Sequence, residues 1–185
     1  MKFLFWNSKG TGSKAFLSLI CELSKKHNID ILAILETISS GNKATKITQS
    51  LGFDKFSLVD AHGYSGGLWV LWKKTAWSCR IISTHEQYIH FYIEDGTTKA
   101  YFTAIYASPN PIKRRTLWQA LGEIHKYIDA PWHIGKDFNS TLYVLESAST
   151  SRVGSTIDCN FSLWVTDLGL ISLAIGIFFW ASASN

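Results

Sequence analysis

Five side chains that could do chemistry stand at or just past the ends of apolar runs: Asn7, Glu36, Tyr106, Asp137 and Asn139. They occur in Phe5-Trp6-Asn7, Leu35-Glu36-Thr37, Ile105-Tyr106-Ala107 and Asp137-Phe138-Asn139. A buried strand that delivers a carboxylate or carboxamide to its own end helps to build a site. Four such strands can set these groups around one cleft. Hard oxygen ligands suit Mg²⁺, which prefers a few carboxylates, water and substrate phosphate to a closed protein cage. The chemistry this points to is metal-assisted hydrolysis of a phosphate ester. Plainer readings stand beside it. Asn7, Asp137 and Asn139 could be turn formers, Glu36 a surface acid and Tyr106 a core-edge aromatic.

The elements that would position these residues can be read from periodicity. Lys2 to Trp6 and Ile29 to Leu35 read as buried strands, the second almost wholly apolar as when both faces are covered. Between them, Phe16, Leu19, Ile20 and Leu23 share one helical face over Ala15 to His27, with Ser13 as N-cap. Asn42 to Leu51 predicts a helix closed by Gly52, and Phe53 to Val59 an extended segment. His62 to Gly67 reads as a tight turn before a strand over Leu68 to Trp72. Trp77 to Ser83, Tyr88 to Ile93 and Lys99 to Tyr106 predict antiparallel strands, with Asp95-Gly96 marking a hairpin. A helix over Ile112 to Tyr127 is expected to stop at Pro131, before a strand from Trp132 toward Asp137. Ser140 to Ser155 is polar and irregular, Asp158 to Asp167 predicts a helix, and Leu170 to Trp180 one or two strands. This alternation predicts an α/β sandwich of two mainly antiparallel sheets with helices outside.

Composition sets the bounds. A chain of 185 residues, 46% hydrophobic and 14% aromatic, is globular and long enough for one domain over 1–185. Its formal charge of +4 is compatible with a polyanionic partner. Lys73, Lys74, Arg114 and Arg115 are the candidate nucleic-acid contacts, against a plainer reading as solvated faces. Cys21, Cys79 and Cys159 have no metal-type spacing, and neither do the histidines. Leu168 to Ala181 is too short for a membrane span, which takes about 20 residues, so no membrane partner is expected. No protein partner is evident.

Together with Gly63-Tyr64-Ser65-Gly66-Gly67-Leu68-Trp69 and Ile105-Tyr106-Ala107-Ser108-Pro109-Asn110, these motifs resemble the endonuclease/exonuclease/phosphatase superfamily. The likeness runs over essentially the whole chain. It is greatest to the apurinic-type endonuclease domain of plant non-LTR (LINE-type) retrotransposons. The resemblance implies a four-layered α/β sandwich, Mg²⁺ or Mn²⁺ as cofactor, DNA as partner, and a nuclear or cytoplasmic location. It also implies roles. Asn7 and Glu36 would hold the metal, Glu36 as direct ligand. Tyr106 would contact the scissile phosphate. Asp137 would orient or deprotonate water, and Asn139 would position the phosphate.

The chain departs from the family's pattern at two places. Lys136 stands immediately before Asp137, where the family carries Gly. The family's closing Ser-Asp-His-like motif is absent, and no Asp-His pair occurs anywhere in the sequence. The expectation is a C-terminally truncated endonuclease domain, weak or inactive in cleavage. The rival expectations are a non-catalytic nucleic-acid-binding remnant and a phosphatase of the same superfamily.

Overall fold

The structure is a computed structural model that describes residues 1–74, 77–139 and 159–169, with only the backbone of Lys136, Cys159 and Asn160. Its strands and helices follow in the order β1 (Phe3–Asn7), α1 (Lys14–Lys26), β2 (Ile31–Leu35), α2 (Gly41–Ser50), β3 (Lys55–His62), β4 (Ser65–Trp72), β5 (Ser78–His85), β6 (Tyr88–Glu94), β7 (Lys99–Tyr106), α3 (Pro111–His125), β8 (Trp132–Asp137) and α4 (Cys159–Asp167). The expected strands over Leu170 to Trp180 and the irregular segment over Ser140 to Ser155 lie outside the described residues.

The strands form two four-stranded sheets, ordered β1-β2-β4-β3 and β5-β6-β7-β8. Each sheet holds one parallel pair, β1 with β2 and β7 with β8, and is otherwise antiparallel. The parallel pairs arise because α1 and α3 carry the chain back between their strands, as a parallel connection requires. The result is the expected α/β sandwich of two mainly antiparallel sheets.

The described chain divides into two compact units. The first takes in Met1–Tyr106 and Ala130–Asp137 and contains both sheets, α1 and α2. Alternation along its strands sends side chains to two cores. Phe3, Ile31, Ala33, Leu35, Leu68 and Val70 meet Ile89, Phe91, Phe102 and Ala104 between the sheets. The Phe3 ring stacks on Phe102 with centroids 4.8 Å apart. On the outer face of the first sheet, Leu4, Leu32, Ile34, Trp69 and Leu71 pack with Phe16 and Ile20 of α1 and Ala44 of α2. Both faces of β2 are therefore covered, which explains its unbroken apolar sequence. Ser13 caps α1 as expected, its hydroxyl accepting from the Phe16 N–H at 3.1 Å.

The second unit contains Ala107–Asp129, Phe138, Asn139 and α4. Its centre is aromatic: Trp118 packs on Phe138, Phe161 and Trp164 at 5.1–5.5 Å between centroids. Asn110 caps α3 by accepting from the Ile112 N–H at 2.9 Å, with Pro111 in the first turn.

Two boundaries differ from the sequence-based expectation. The turn before β4 is only Gly63-Tyr64, because Ser65 to Gly67 remain paired with β3 and with the segment after β2. Helix α3 ends at His125, well before Pro131. The N–H groups of Lys126, Tyr127 and Ile128 bond three residues back, a tightening that winds the helix down without a proline. The Pro131 carbonyl instead accepts from the Tyr101 N–H at 2.8 Å, at the start of the β7–β8 pairing.

A polar cluster lies on the outward face of the second sheet. The Trp132 indole N–H donates to the Thr103 hydroxyl at 2.8 Å, and His90 Nδ1 lies 2.8 Å from the same oxygen. Burial pushes the His90 imidazole down to about 4 from 6.5. The folded chain then binds fewer protons than the unfolded one between those values. The stability His90 contributes is present above pH 6.5 and is lost as pH falls through about 4. Burial lowers His133 in the same direction. Replacing His90 by Gln is expected to flatten part of the fall in unfolding free energy over that window, measured by urea titration at several pH values.

A second prediction concerns the inter-sheet contact. A Cβ on Gly135 would fall inside the Phe5 ring, so the ring lies directly on bare backbone. Gly135→Ala is expected to cost about 2 kcal/mol or more in urea unfolding, and Phe5→Leu in the same chain to restore part of it. An unchanged midpoint would mean that ring and strand do not touch.

Candidate active site

The site follows from the two parallel pairs. In one, Asn7 is in register with Leu35; in the other, Tyr106 is in register with Asp137. Asn7 continues the inward-facing row of Phe3 and Phe5, and Tyr106 the row of Phe102 and Ala104. Asp137 lies two residues beyond Gly135, the residue under the Phe5 ring. The ends of β1 and β8 meet across the layer between the sheets. There Asn7 Nδ2 donates to Asp137 Oδ2 at 2.5 Å. A carboxylate can only accept, so the NH₂ of Asn7 must face Asp137, which leaves the Asn7 carboxamide oxygen on the other side.

Glu36 follows β2 at the same end, where the strand's regular backbone stops. Leu32 and Ile34 face the outer core, and a regular continuation would carry Glu36 outward too. Instead Glu36 lies at φ 55, in the left-handed region. Non-glycine residues seldom adopt it, and such strain collects where a side chain must be re-aimed. The turn is locked by neighbours. The Ser8 N–H donates to the Leu35 carbonyl and the Gly10 N–H to the Glu36 carbonyl, both at 2.9 Å. The Ser8 hydroxyl lies 3.0 Å from both of these carbonyls. On the other side, the Thr37 and Ile38 N–H groups donate to the Gly67 and Gly66 carbonyls. Gly67, at φ +84, has no room for a Cβ, which would strike the Thr37 hydroxyl. At Gly66 a Cβ would sit 3.9 Å from the Tyr106 ring, so β4 passes close to Tyr106 as well. The Gly66-Gly67 pair thus fits Glu36, Thr37 and Tyr106 against one another, a role its turn-like composition concealed.

Asn7, Glu36, Tyr106 and Asp137 therefore stand at one end of the first unit. Tyr106 is buried, Glu36 and Asp137 are half-buried, and Asn7 is exposed. Asn139 belongs to the second unit, where its amide donates to the Ala107 carbonyl at 2.8 Å. Like Glu36, it holds a positive φ, 46. The Lys136 side chain, and with it the question of whether it pairs with Asp137, lies outside the described residues.

Lys73 and Lys74 do not gather there. Lys73 and Lys74 follow the end of β4 that pairs with Ile31, the start of β2 and so the opposite end of the sheet. The Lys73 ammonium lies 5.9 Å from the Phe53 ring, and the Lys74 N–H donates to Asp54. Arg114, in the second unit, is engaged within its own loop. It is 7% exposed, and its guanidinium donates to the Ser108 and Pro109 carbonyls at 3.0 and 2.9 Å. It holds the loop before α3 in place. Arg115, one position on, is exposed.

The fold is shared with solved nucleases of the endonuclease/exonuclease/phosphatase superfamily. The endonuclease domain of TRAS1, a telomere-specific non-LTR retrotransposon, matches over 95% of this chain and 75% of its own, with TM-score 0.67 and 13% identity. The AP endonuclease LMAP from Leishmania major matches over 90% of this chain and 65% of its own, with TM-score 0.62 and 15% identity. An AP endonuclease from Archaeoglobus fulgidus matches over 78% of this chain and 60% of its own, with TM-score 0.55 and 15% identity. No family model matches the chain, and no curated protein matches it by sequence.

The donor set fits a hard cation. Glu36 and Asp137 offer carboxylates and Asn7 a carboxamide oxygen, the groups Mg²⁺ and Mn²⁺ accept alongside water and phosphate. Among the described residues no group of three or more His, Cys, Asp or Glu side chains gathers, so a cation here would rest on few protein ligands. Among the same residues no helix is long and apolar enough to cross a membrane.

The two glycines of β4 make a paired prediction. Gly67→Ala is expected to destabilise by about 1–3 kcal/mol and to speed hydrogen exchange at the Thr37 and Ile38 amides. Gly66→Ala brings its Cβ only into ordinary van der Waals contact with the Tyr106 ring and should cost about 1 kcal/mol, for its backbone. Equal effects at both positions would argue against the tight fit of Thr37 on Gly67.

Proposed function

We propose that this chain is a divalent-cation-dependent phosphodiesterase that nicks DNA, of the kind carried by plant-type non-LTR retrotransposons. The observation that carries the reading is the Asn7–Asp137 hydrogen bond between the two sheets, beside Glu36 in its strained, locked turn. The shared fold with the TRAS1 endonuclease domain supports it, as do the AP endonucleases and TDP2 from D. rerio, solved with a single-strand DNA product.

Each residue has a physical role under this reading. Glu36 and the Asn7 carboxamide oxygen would hold Mg²⁺ or Mn²⁺, which would supply positive charge against the phosphate and the leaving oxygen. The Asn7 amide fixes the Asp137 carboxylate, so that its other oxygen can orient or accept a proton from the attacking water. The Tyr106 hydroxyl donates to the phosphate as charge develops. The chain's location would be nuclear or cytoplasmic.

The test is relaxation of supercoiled plasmid by the purified chain with Mg²⁺ or Mn²⁺. The expected result is nicking that EDTA abolishes and that Glu36→Ala and Asp137→Ala each reduce by at least about 100-fold. Hydrolysis of soluble phosphate monoesters in place of plasmid would favour a phosphatase. Salt-sensitive DNA binding with no cleavage under any metal would favour the non-catalytic reading.

A further inference from the structure

Beyond the residues already given roles, the turn beside Glu36 holds a second charge. Lys9 lies between Ser8 and Gly10, whose N–H groups donate to the Leu35 and Glu36 carbonyls. Hydrogen bonding continues along the loop, the Thr11 N–H and hydroxyl both donating to the Thr37 carbonyl at 3.0 Å. The two segments after β1 and β2 are thereby laced together, and Lys9 is held one residue from the Glu36 carbonyl.

Three features of Lys9 stand out. It is exposed, and among the described residues its ammonium makes no hydrogen bond or ion pair. The Glu36 carboxylate is likewise without a partner among those residues. Two opposite charges on laced neighbouring turns therefore leave each other unpaired. Lys9 also lies at φ 48, next to Gly10 at φ 110 and across from Glu36 at φ 55. Glycine or asparagine would adopt that backbone at less cost than a long side chain. A lysine kept in an unfavourable backbone, with its charge unused inside the fold, is arranged for something outside it. An ammonium with three donors and no acceptor takes an anion, and phosphate oxygens are the anion that also suits a cation held at Glu36.

We propose that Lys9 is a phosphate-binding residue, contacting a non-bridging oxygen of a phosphodiester placed at the Glu36–Asp137 end of the sheets. This deepens the hydrolase reading and names the cationic contact that Lys73 and Lys74 do not supply there. Lys9 contributes binding by charge, so its effect is independent of base sequence and falls with salt.

The test separates this contact from catalysis by working in EDTA, with a fluorescent single-stranded oligonucleotide and the full chain. The logarithm of the binding constant is measured against the logarithm of salt concentration. Lys9→Met is expected to weaken binding and to reduce the slope by about 0.7, one single-strand phosphate contact. Lys9→Arg should keep the parent's slope. Lys26→Met, a loss of the same charge at the far end of α1, should keep it too. Lys9→Gly provides the check on folding: it should raise the thermal midpoint by relieving the backbone, yet reduce the slope as Lys9→Met does. A Lys9→Met slope equal to that of the parent overturns the proposal, as does a parent chain that binds no oligonucleotide. If the Lys9 effect is present but no divalent cation supports nicking, the phosphate site stands and the hydrolase reading falls.

Discussion

The arrangement at the site depends on how closely β1 approaches β8, and one contact controls that approach. The Phe5 ring lies on the backbone of Gly135, where no Cβ intervenes. Two residues further along each strand, Asn7 and Asp137 come within hydrogen-bonding distance. A side chain at 135 would lift β8 from β1 and separate the pair, because a close-packed interior cannot absorb the added volume without moving backbone. The stacked rings of Phe3, Phe5 and Phe102 continue the same contact into the core. Packing between the sheets and geometry at their ends are thus a single constraint.

Strain is concentrated where the chemistry is proposed. Lys9, Glu36 and Ile38 hold positive φ in two adjoining turns, and the turns are tied by N–H and hydroxyl bonds to strand-end carbonyls and to β4. Each such residue costs stability, and the network around it repays that cost. The pattern also sorts the charges. Arg114 is spent on the Ser108 and Pro109 carbonyls and Lys73 lies over Phe53, whereas Glu36 and Lys9 have no partner among the described residues. Charges that no side chain of the fold pairs stay solvated and open to a ligand that carries the opposite charge. That is the physical basis for reading this end of the sandwich as a place where a cation and a phosphate meet.

Much of this was legible in the sequence. The unbroken apolar run of β2 announced a strand covered on both faces, and Phe16, Leu19, Ile20 and Leu23 announced the buried face of α1. These signals are local periodicities, and each is set by which face of an element is buried. The strand-end positions of Asn7, Glu36, Tyr106 and Asp137 were legible for the same reason. What periodicity alone could not give was direction. The register of Asn7 with Leu35 and of Tyr106 with Asp137 comes from two parallel crossovers, and the meeting of those pairs comes from packing between sheets.

The sequence by itself therefore determined the elements, the two mainly antiparallel sheets and the chemical types available at the strand ends. Only the tertiary structure decided which of those types share a site. It separated Lys73 and Lys74 from Glu36 because β4 runs antiparallel to β2, so that the end of one strand lies beside the start of the other. It turned Arg114 inward because the loop before α3 offers two carbonyls that needed a donor. It kept Ser65 to Gly67 in the sheet, where composition spoke for a turn, because the Thr37 and Ile38 N–H groups require their carbonyls. Hydrogen bonds and close contacts between residues far apart in the chain leave no local period in the sequence, and they are what assembled the site.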